Sequence, residues 1–203
     1  SFNPPHEGHL RISLYALKKL RLDRVWWIVT PGNPLKENSN LSSLGERMEA
    51  ARRLARHPRI EITGFEAALP SRYTAATVAF LTRRFAGTRF VWLMGADNLV
   101  SIHRWNAWTE IYSRVPIAVL DRPGWRLRGL SSKAAERYRR GFVGEDRANV
   151  LPCRRPPSWT FITLPLSPQS STEIRARRAR AGGAADPGER DANPRRENKQ
   201  RGY

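Results

Sequence analysis

The chain has 203 residues and a formal net charge of +18, from 36 Lys and Arg against 18 Asp and Glu. This length suits one domain with an appendage, and the charge favours polyanionic ligands such as nucleotides or RNA. The single cysteine, Cys153, excludes an internal disulfide framework and is typical of a cytoplasmic protein, while no apolar run approaches the roughly 20 residues that a membrane span needs.

Residues 1–9 lead into an amphipathic stretch whose apolar side chains recur at helical spacing: Leu10, Leu14, Leu17 and Leu20. A helix is therefore predicted over residues 10–20. Two prolines favour an extended approach to it, and Gly8 allows a tight turn between His6 and His9. Both imidazoles are expected at the N-terminal end of the helix, where free N–H groups and the helix dipole attract phosphate.

Further along, apolar runs alternate with helical patterns. Strands are predicted over residues 24–30, 59–63, 89–94, 116–120 and 159–164, and helices over 46–55, 75–85, 107–113 and 132–140. Ser43 and Glu46 form a capping box, and His57 is expected to end the following helix. The alternation predicts a mostly parallel, doubly wound α/β sheet. Residues 126–157 are interpreted as largely irregular, and residues from about 178 as a disordered basic tail.

Several predicted strand and helix ends carry polar groups suited to ligands. Thr74 is a candidate N-cap, with free amides beside it. Asp97 follows Gly95 at the end of a predicted strand, where it either faces a ligand or caps the next helix. Ser171 and Thr172 begin another predicted helix, and Arg175 adds a guanidinium fork suited to phosphate. On chemistry alone this last motif is an ordinary N-cap.

Taken together, these motifs resemble a known family. Ser-Phe-Asn-Pro-Pro-His-x-Gly-His at residues 1–9 resembles the signature of the nucleotidylyltransferase superfamily, and in particular of its nicotinate mononucleotide adenylyltransferases. Residues 169–175 resemble the closing signature of that family, and residues 95–97 its Gly-x-Asp motif. The resemblance extends over residues 1–177, which are predicted to form the nucleotidylyltransferase domain, with residues 178–203 as the tail.

The resemblance implies a nucleotidyltransferase that joins ATP and nicotinate mononucleotide to give deamido-NAD and pyrophosphate, with Mg²⁺ accompanying ATP. It implies catalytic roles for His6, His9 and Arg175. The residues expected to bind ATP are Ser1, Phe2, His6, Gly8, His9, Ser171, Thr172 and Arg175. Those expected to hold the acceptor are Asn3, Lys36, Tyr73, Thr74, Gly95, Asp97 and Trp105.

The chain departs from the family in two places. The family's first strand and its glycine pair do not precede Ser1, so either the sequence is truncated or the sheet lacks its first strand. Ala76 stands where the family has an aspartate. The alternatives are a nicotinamide mononucleotide or pantetheine-phosphate acceptor, or a non-catalytic basic RNA-binding module. Trp105 favours an acceptor with a ring. Nucleic acid and membrane partners are not expected, and homo-oligomerisation is left open.

The remaining reactive side chains are given structural roles. Trp26, Trp27 and Trp108 are expected in the core, and His103 on the surface. His6 and His9 could ligate a metal, but no third ligand lies nearby in the sequence, so no protein metal site is predicted. Cys153 has basic neighbours and no paired histidine, which argues against a nucleophile.

Overall fold

The computed structural model describes residues 2–32 and 41–164. Its α-helices are α1 (Glu7–Lys19), α2 (Leu44–Leu54), α3 (Thr74–Arg84), α4 (Ala96–Ser101), α5 (Trp108–Arg114), α6 (Arg126–Leu130) and α7 (Lys133–Arg137). Its strands are β1 (Val25–Ile28), β2 (Ile60–Thr63), β3 (Trp92–Gly95), β4 (Ile117–Leu120), β5 (Phe142–Val143) and β6 (Trp159–Ile162). Within these two ranges, no helix combines the length and apolar character needed to cross a membrane.

All strand pairs in the described part of the chain are parallel. β1 pairs with β2, and a second sheet has the order β3-β4-β6-β5. β4 and β6 lie inside this second sheet and are buried at every position, which explains their near-continuous apolar sequences.

Helices cover both faces of the larger sheet. Along β4, Ile117 and Val119 belong to a core cluster with α3, α4 and α5 residues, whereas Ala118 and Leu120 belong to a cluster with α1 residues. Because side chains alternate across a strand, these two clusters lie on opposite faces. The predicted doubly wound, mostly parallel α/β fold is confirmed.

The first helix begins earlier than predicted. α1 starts at Glu7, so Gly8 lies in its first turn instead of forming a separate tight turn. The buried face centres on Ser13 and Leu17, and Leu14 is 38% exposed. Leu14 is displaced because Ser13 occupies the buried position, where its hydroxyl accepts a hydrogen bond from the Trp27 indole.

The helix-capping residues predicted from the sequence can be compared with the ends of α2 and α3. The capping box is confirmed: the Glu46 amide donates to Ser43 Oγ (3.2 Å), and the Ser43 amide donates to Glu46 Oε2 (2.9 Å). The prediction of Thr74 as an N-cap is wrong, because Tyr73 holds that position and Thr74 is the first helical residue. His57 lies beyond the end of α2, and its Nδ1 accepts a hydrogen bond from the Arg59 amide (3.2 Å).

The stretch interpreted as irregular is regular over much of its length. It contains α6, α7, β5 and a 3₁₀ segment, Glu145–Cys153. The helix predicted over 132–140 divides into α7 and a 3₁₀ turn, Arg139–Gly141. α7 therefore lies within the predicted helix, whereas α6, with five residues, and β5, with two, are too short to show a hydrophobic period and were not predicted.

Candidate active site

Two histidines occupy the N-terminal end of α1. His6 is the N-cap and His9 is the third helical residue, and their ring centroids lie 3.9 Å apart. The His6 amide donates to His9 Nδ1 (3.2 Å), and the His9 amide donates to the His6 carbonyl (2.8 Å). These bonds close the first turn of α1 and fix the His9 ring at Nδ1.

Both imidazoles are held neutral at pH 7. Burial lowers the pKa of His6, which is 6% exposed, and the positive charge of Arg122 lowers it further. Burial is the main cause that lowers the pKa of His9 to about 3, and repulsion from a protonated His6 and from Arg122 acts in the same direction. Since Nδ1 of His9 accepts a hydrogen bond, the neutral ring carries its proton on Nε2. His9 can then donate Nε2–H to an anion.

The His6 ring packs against the His9 ring, and its two nitrogens face a different situation from those of His9. Both of its nitrogens are buried, and neither makes a well-oriented hydrogen bond within residues 2–32 and 41–164. A buried polar group normally has a partner. A ligand with oxygen acceptors would satisfy the N–H of this ring.

The low histidine pKa values predict how stability depends on pH. Unfolding restores ordinary values near 6.5, so the unfolded chain binds protons that the folded chain excludes. The contribution of the two neutral histidines to the free energy of unfolding is therefore complete above pH 6.5 and is lost as the pH falls toward 3. Each histidine contributes a slope of at most about 1.4 kcal/mol per pH unit. Urea unfolding at pH 7.5, 6 and 5 should show a shallower decline in His9→Asn, and equal slopes would contradict the assignment.

Arg122 and Asp97 form a charged corner beside the histidines. β3 and β4 end together, with Gly95 opposite Leu120, and both charged residues follow these ends. Arg122 Nε lies 3.4 Å from Asp97 Oδ1, at ion-pair distance, although that oxygen has no well-aligned hydrogen bond. The side chains remain about one third exposed, so the guanidinium can also contact a ligand.

The sequence did not identify Arg122 as a site residue. A signal existed, because Arg122 lies two residues beyond a buried parallel strand, at the edge where such sheets bind ligands. Asp121 holds the turn, accepting the Arg122 amide at 2.8 Å. Asp97 itself does not cap α4, whose N-cap is Gly95.

Gly95 leaves space for this corner. A Cβ at this position would lie 2.4 Å from Asp97 Oδ1 and 2.9 Å from Arg122 Nε. Both atoms belong to movable side chains, so Gly95→Ala should change Tm by only a few degrees while displacing the ion pair. We expect kcat/KM to fall about tenfold to a hundredfold. In the matched control, Gly45→Ala, the added methyl meets no atom within 4 Å, and activity should be unchanged. Equal activities of the two variants would argue against this role of Gly95.

A buried carboxyl group, that of Glu66, contacts the first turn of α3. Thr77 Oγ1 donates to Glu66, which is 6% exposed, and burial raises the pKa of Glu66. Tyr73 is 44% exposed at the N-cap, and Thr74 follows it. The contact between Glu66 and Thr77 could not be predicted, because a glutamate in a loop and a threonine in a helix carry no distinctive pattern.

The tryptophans after α4 have different surroundings. Trp105 is half-buried and packs against the core cluster of α3, α4 and α5. Trp108 contacts Tyr112 and Tyr138 edge-on, at 5.9 Å and 5.7 Å between centroids, in agreement with its expected core position. His103 is not simply a surface residue, since its Nδ1 is buried.

The remaining expected site residues divide into two groups. Phe2 stacks on Trp27, with centroids 4.8 Å apart, and lies 4.8 Å from the His9 ring. Asn3 and Gly8 lie in the same N-terminal segment. Ser1, Lys36, Ser171, Thr172 and Arg175 lie outside the described residues.

Most of the chain, including this site, matches a known protein family. The model of the family described as cytidylyltransferase-like matches residues 1–177. The chain belongs to the cytidylyltransferase-like family. Its curated relatives include three proteins named probable nicotinate-nucleotide adenylyltransferase. That of Cereibacter sphaeroides strain ATCC 17025 is 54% identical, over 87% of this chain and 93% of that protein. Those of Rhizobium meliloti strain 1021 and Methylorubrum extorquens strain PA1 are each 51% identical, over 87% of this chain and 94% and 96% of those proteins.

Solved structures show that this cytidylyltransferase-like protein shares a fold with distant enzymes. Nicotinic acid mononucleotide adenylyltransferase from Plasmodium falciparum, complexed with APC, superposes with a TM-score of 0.63 at 12% identity. The same enzyme complexed with NaAD superposes with a TM-score of 0.65 at 13% identity. Each comparison covers 87% of this chain and 79% of the other. The resemblance drawn from the sequence motifs is confirmed.

Proposed function

We propose that this protein transfers the adenylyl group of ATP to nicotinate mononucleotide, giving deamido-NAD and pyrophosphate. The observation that carries the proposal is the pair of neutral histidines at the start of α1, beside Arg122. Relatives that are 51–54% identical are named for this activity. The names of these relatives support nicotinate mononucleotide as the acceptor. The histidines and Arg122 support a reaction at the phosphates of ATP.

The chemistry requires no protein nucleophile. An oxygen of the mononucleotide 5′-phosphate attacks the α-phosphorus of ATP in line, and the bond from that phosphorus to the bridging oxygen breaks as pyrophosphate leaves. Negative charge increases on the leaving pyrophosphate. Nε2–H of His9 and the N–H of His6 donate to its oxygens, and Arg122 adds positive charge. Positioning and charge stabilisation then account for catalysis.

The other ATP contacts belong to this proposal. Ser1, Phe2 and Gly8 would line the triphosphate beside the histidines. Ser171 and Thr172 would contribute hydroxyl and amide donors, and Arg175 a second guanidinium.

The acceptor would lie across the carboxyl ends of β1 and β3. We propose that Lys36 and Asn3 bind its phosphate and ribose side, and that Tyr73 and Thr74 present the start of α3 to its carboxylate. Gly95 and Asp97 would bound the pocket, and Trp105 would stack on the ring through its free face.

A divalent cation fits this site as the companion of ATP. Within residues 2–32 and 41–164, no group of three or more His, Cys, Asp or Glu could hold a metal ion. Mg²⁺ commonly binds through substrate phosphates and one or two carboxylates, and Asp97 has an oxygen without an aligned hydrogen bond. We propose that Mg²⁺ arrives with ATP near Asp97 and neutralises part of the phosphate charge.

Residues 1–177 would form the catalytic domain and residues 178–203 a basic tail. The single cysteine agrees with a cytoplasmic location. Light scattering of the purified protein would measure its oligomeric state.

The acceptor can be identified directly. Purified protein with Mg-ATP would be offered nicotinate mononucleotide, nicotinamide mononucleotide or pantetheine phosphate, and products would be separated by chromatography. The proposal predicts deamido-NAD as the main product. A preference for nicotinamide mononucleotide would mean that Ala76 reflects a changed acceptor pocket. No product with any acceptor, together with steeply salt-dependent RNA binding, would favour the RNA-binding alternative.

A further inference from the structure

We infer that Trp27, acting through Ser13, is a positioning residue for His9, an inference that rests on the proposed role of His9. The indole Nε1–H of Trp27 donates to Ser13 Oγ (2.7 Å), and Ser13 Oγ–H donates to the His9 carbonyl (2.8 Å). These two bonds connect the middle of β1 to the residue that presents its ring to the triphosphate.

The direction of this chain of hydrogen bonds is fixed by chemistry. An indole nitrogen can only donate, so the Ser13 oxygen accepts from it and turns its own proton toward the carbonyl. Trp27 is 3% exposed and Ser13 is 4% exposed, so water does not compete for either bond. In such surroundings, losing one partner leaves a buried polar group unsatisfied.

The same indole also limits the His9 ring. Phe2 stacks on Trp27 at an interplanar angle of 19°, and His9 approaches the indole edge-on with centroids 6.0 Å apart. His9 Nδ1 is already occupied by the His6 amide. These contacts fix the carbonyl and the ring of His9. Its Nε2–H can then donate a hydrogen bond to a phosphate oxygen.

A purely structural explanation exists for each part. Buried indoles fill cores, and serines in helices often bond to the carbonyl four residues earlier. The positioning role differs in one respect: removing a single hydrogen bond should impair turnover more than stability. Thr82 offers a matched control, because its hydroxyl donates to the Val78 carbonyl (3.0 Å) four residues earlier, in the last turns of α3.

The test compares Trp27→Phe, Ser13→Ala, the double variant and Thr82→Val. We expect each single change to lower kcat about tenfold and to leave KM for nicotinate mononucleotide within about twofold, because the acceptor contacts are untouched. The double variant should be no worse than the poorer single variant, since both act through one connection. Ser13→Thr, which keeps the hydroxyl, should recover most of kcat, and Thr82→Val should have full activity.

A second measurement does not depend on turnover. NMR of the histidine ring nitrogens should show His9 with its proton on Nε2 in the unaltered protein, and shifted or exchange-broadened His9 signals in Trp27→Phe and Ser13→Ala. If the unaltered protein gives no deamido-NAD, the proposed function fails, and these signals still decide the positioning role. Unchanged His9 signals with unchanged kcat would overturn it. A fall in Tm without a fall in kcat would also overturn it, because the two residues would then be structural only.

Discussion

The His9→Asn variant should lose kcat by about a hundredfold to a thousandfold, the usual effect of removing one donor that stabilises transition-state charge. The asparagine side-chain oxygen can take the place of Nδ1 and accept the His6 amide, which His9 accepts at 3.2 Å in the structure. The start of α1 should therefore persist. What disappears is Nε2–H, the group proposed to donate to the leaving pyrophosphate.

A second substitution at this position separates the two functions of the ring. His9→Gln places an amide donor near Nε2 and gives up the bond to the His6 amide, so it should retain more activity than His9→Asn but unfold at a lower temperature. Initial rates with saturating Mg-ATP, together with thermal melts, would measure both quantities. A His9→Asn protein that is folded and has an unchanged kcat would rule out the proposed role of His9.

Replacing Arg122 by methionine should lower kcat/KM by about a hundredfold while preserving most of the packing of its aliphatic stem. Two consequences are expected from the lost charge. The leaving pyrophosphate loses a cation, and the pKa values of His6 and His9 rise because Arg122 contributes to lowering both. The acidic limb of the pH–rate profile should therefore move to higher pH.

Two further variants show whether charge or shape matters at this position. Arg122→Lys keeps the charge without the planar fork, so it should restore the pH profile more fully than the rate. Arg52→Met is a control, because Arg52 is exposed and pairs with Glu49 one turn away in α2. If Arg122→Met changes neither the rate nor the pH profile, Arg122 does not belong to the site.

Local signals in the sequence predicted the parts of the molecule that depend on neighbouring residues. The capping box at Ser43 and the buried strands β4 and β6 were predictable because a reciprocal hydrogen bond and an apolar run each depend on a few adjacent side chains. The two histidines were found because a motif places them three residues apart. Their neutral state was not predictable, since it results from burial and from Arg122, which is distant in sequence.

Other features depend on contacts that the sequence does not display. Leu14 fits the helical period as well as Leu17 does, but Ser13 takes the buried position because the Trp27 indole offers it a hydrogen bond. Glu66 is buried, and its carboxylate accepts a hydrogen bond from Thr77 in α3, a contact that neither residue's sequence surroundings indicate. The five-residue helix α6 is too short for periodicity to predict.

Adenylyl transfer can be followed through the phosphorus atoms of ATP. The protein would be incubated with nicotinate mononucleotide and Mg-ATP that is labelled with ³²P at either the α or the γ position. Adenylyl transfer predicts the α label in deamido-NAD and the γ label in pyrophosphate. A γ label on the mononucleotide would indicate phosphoryl transfer, and an α label that never enters a dinucleotide would show that this chain does not adenylylate the acceptor.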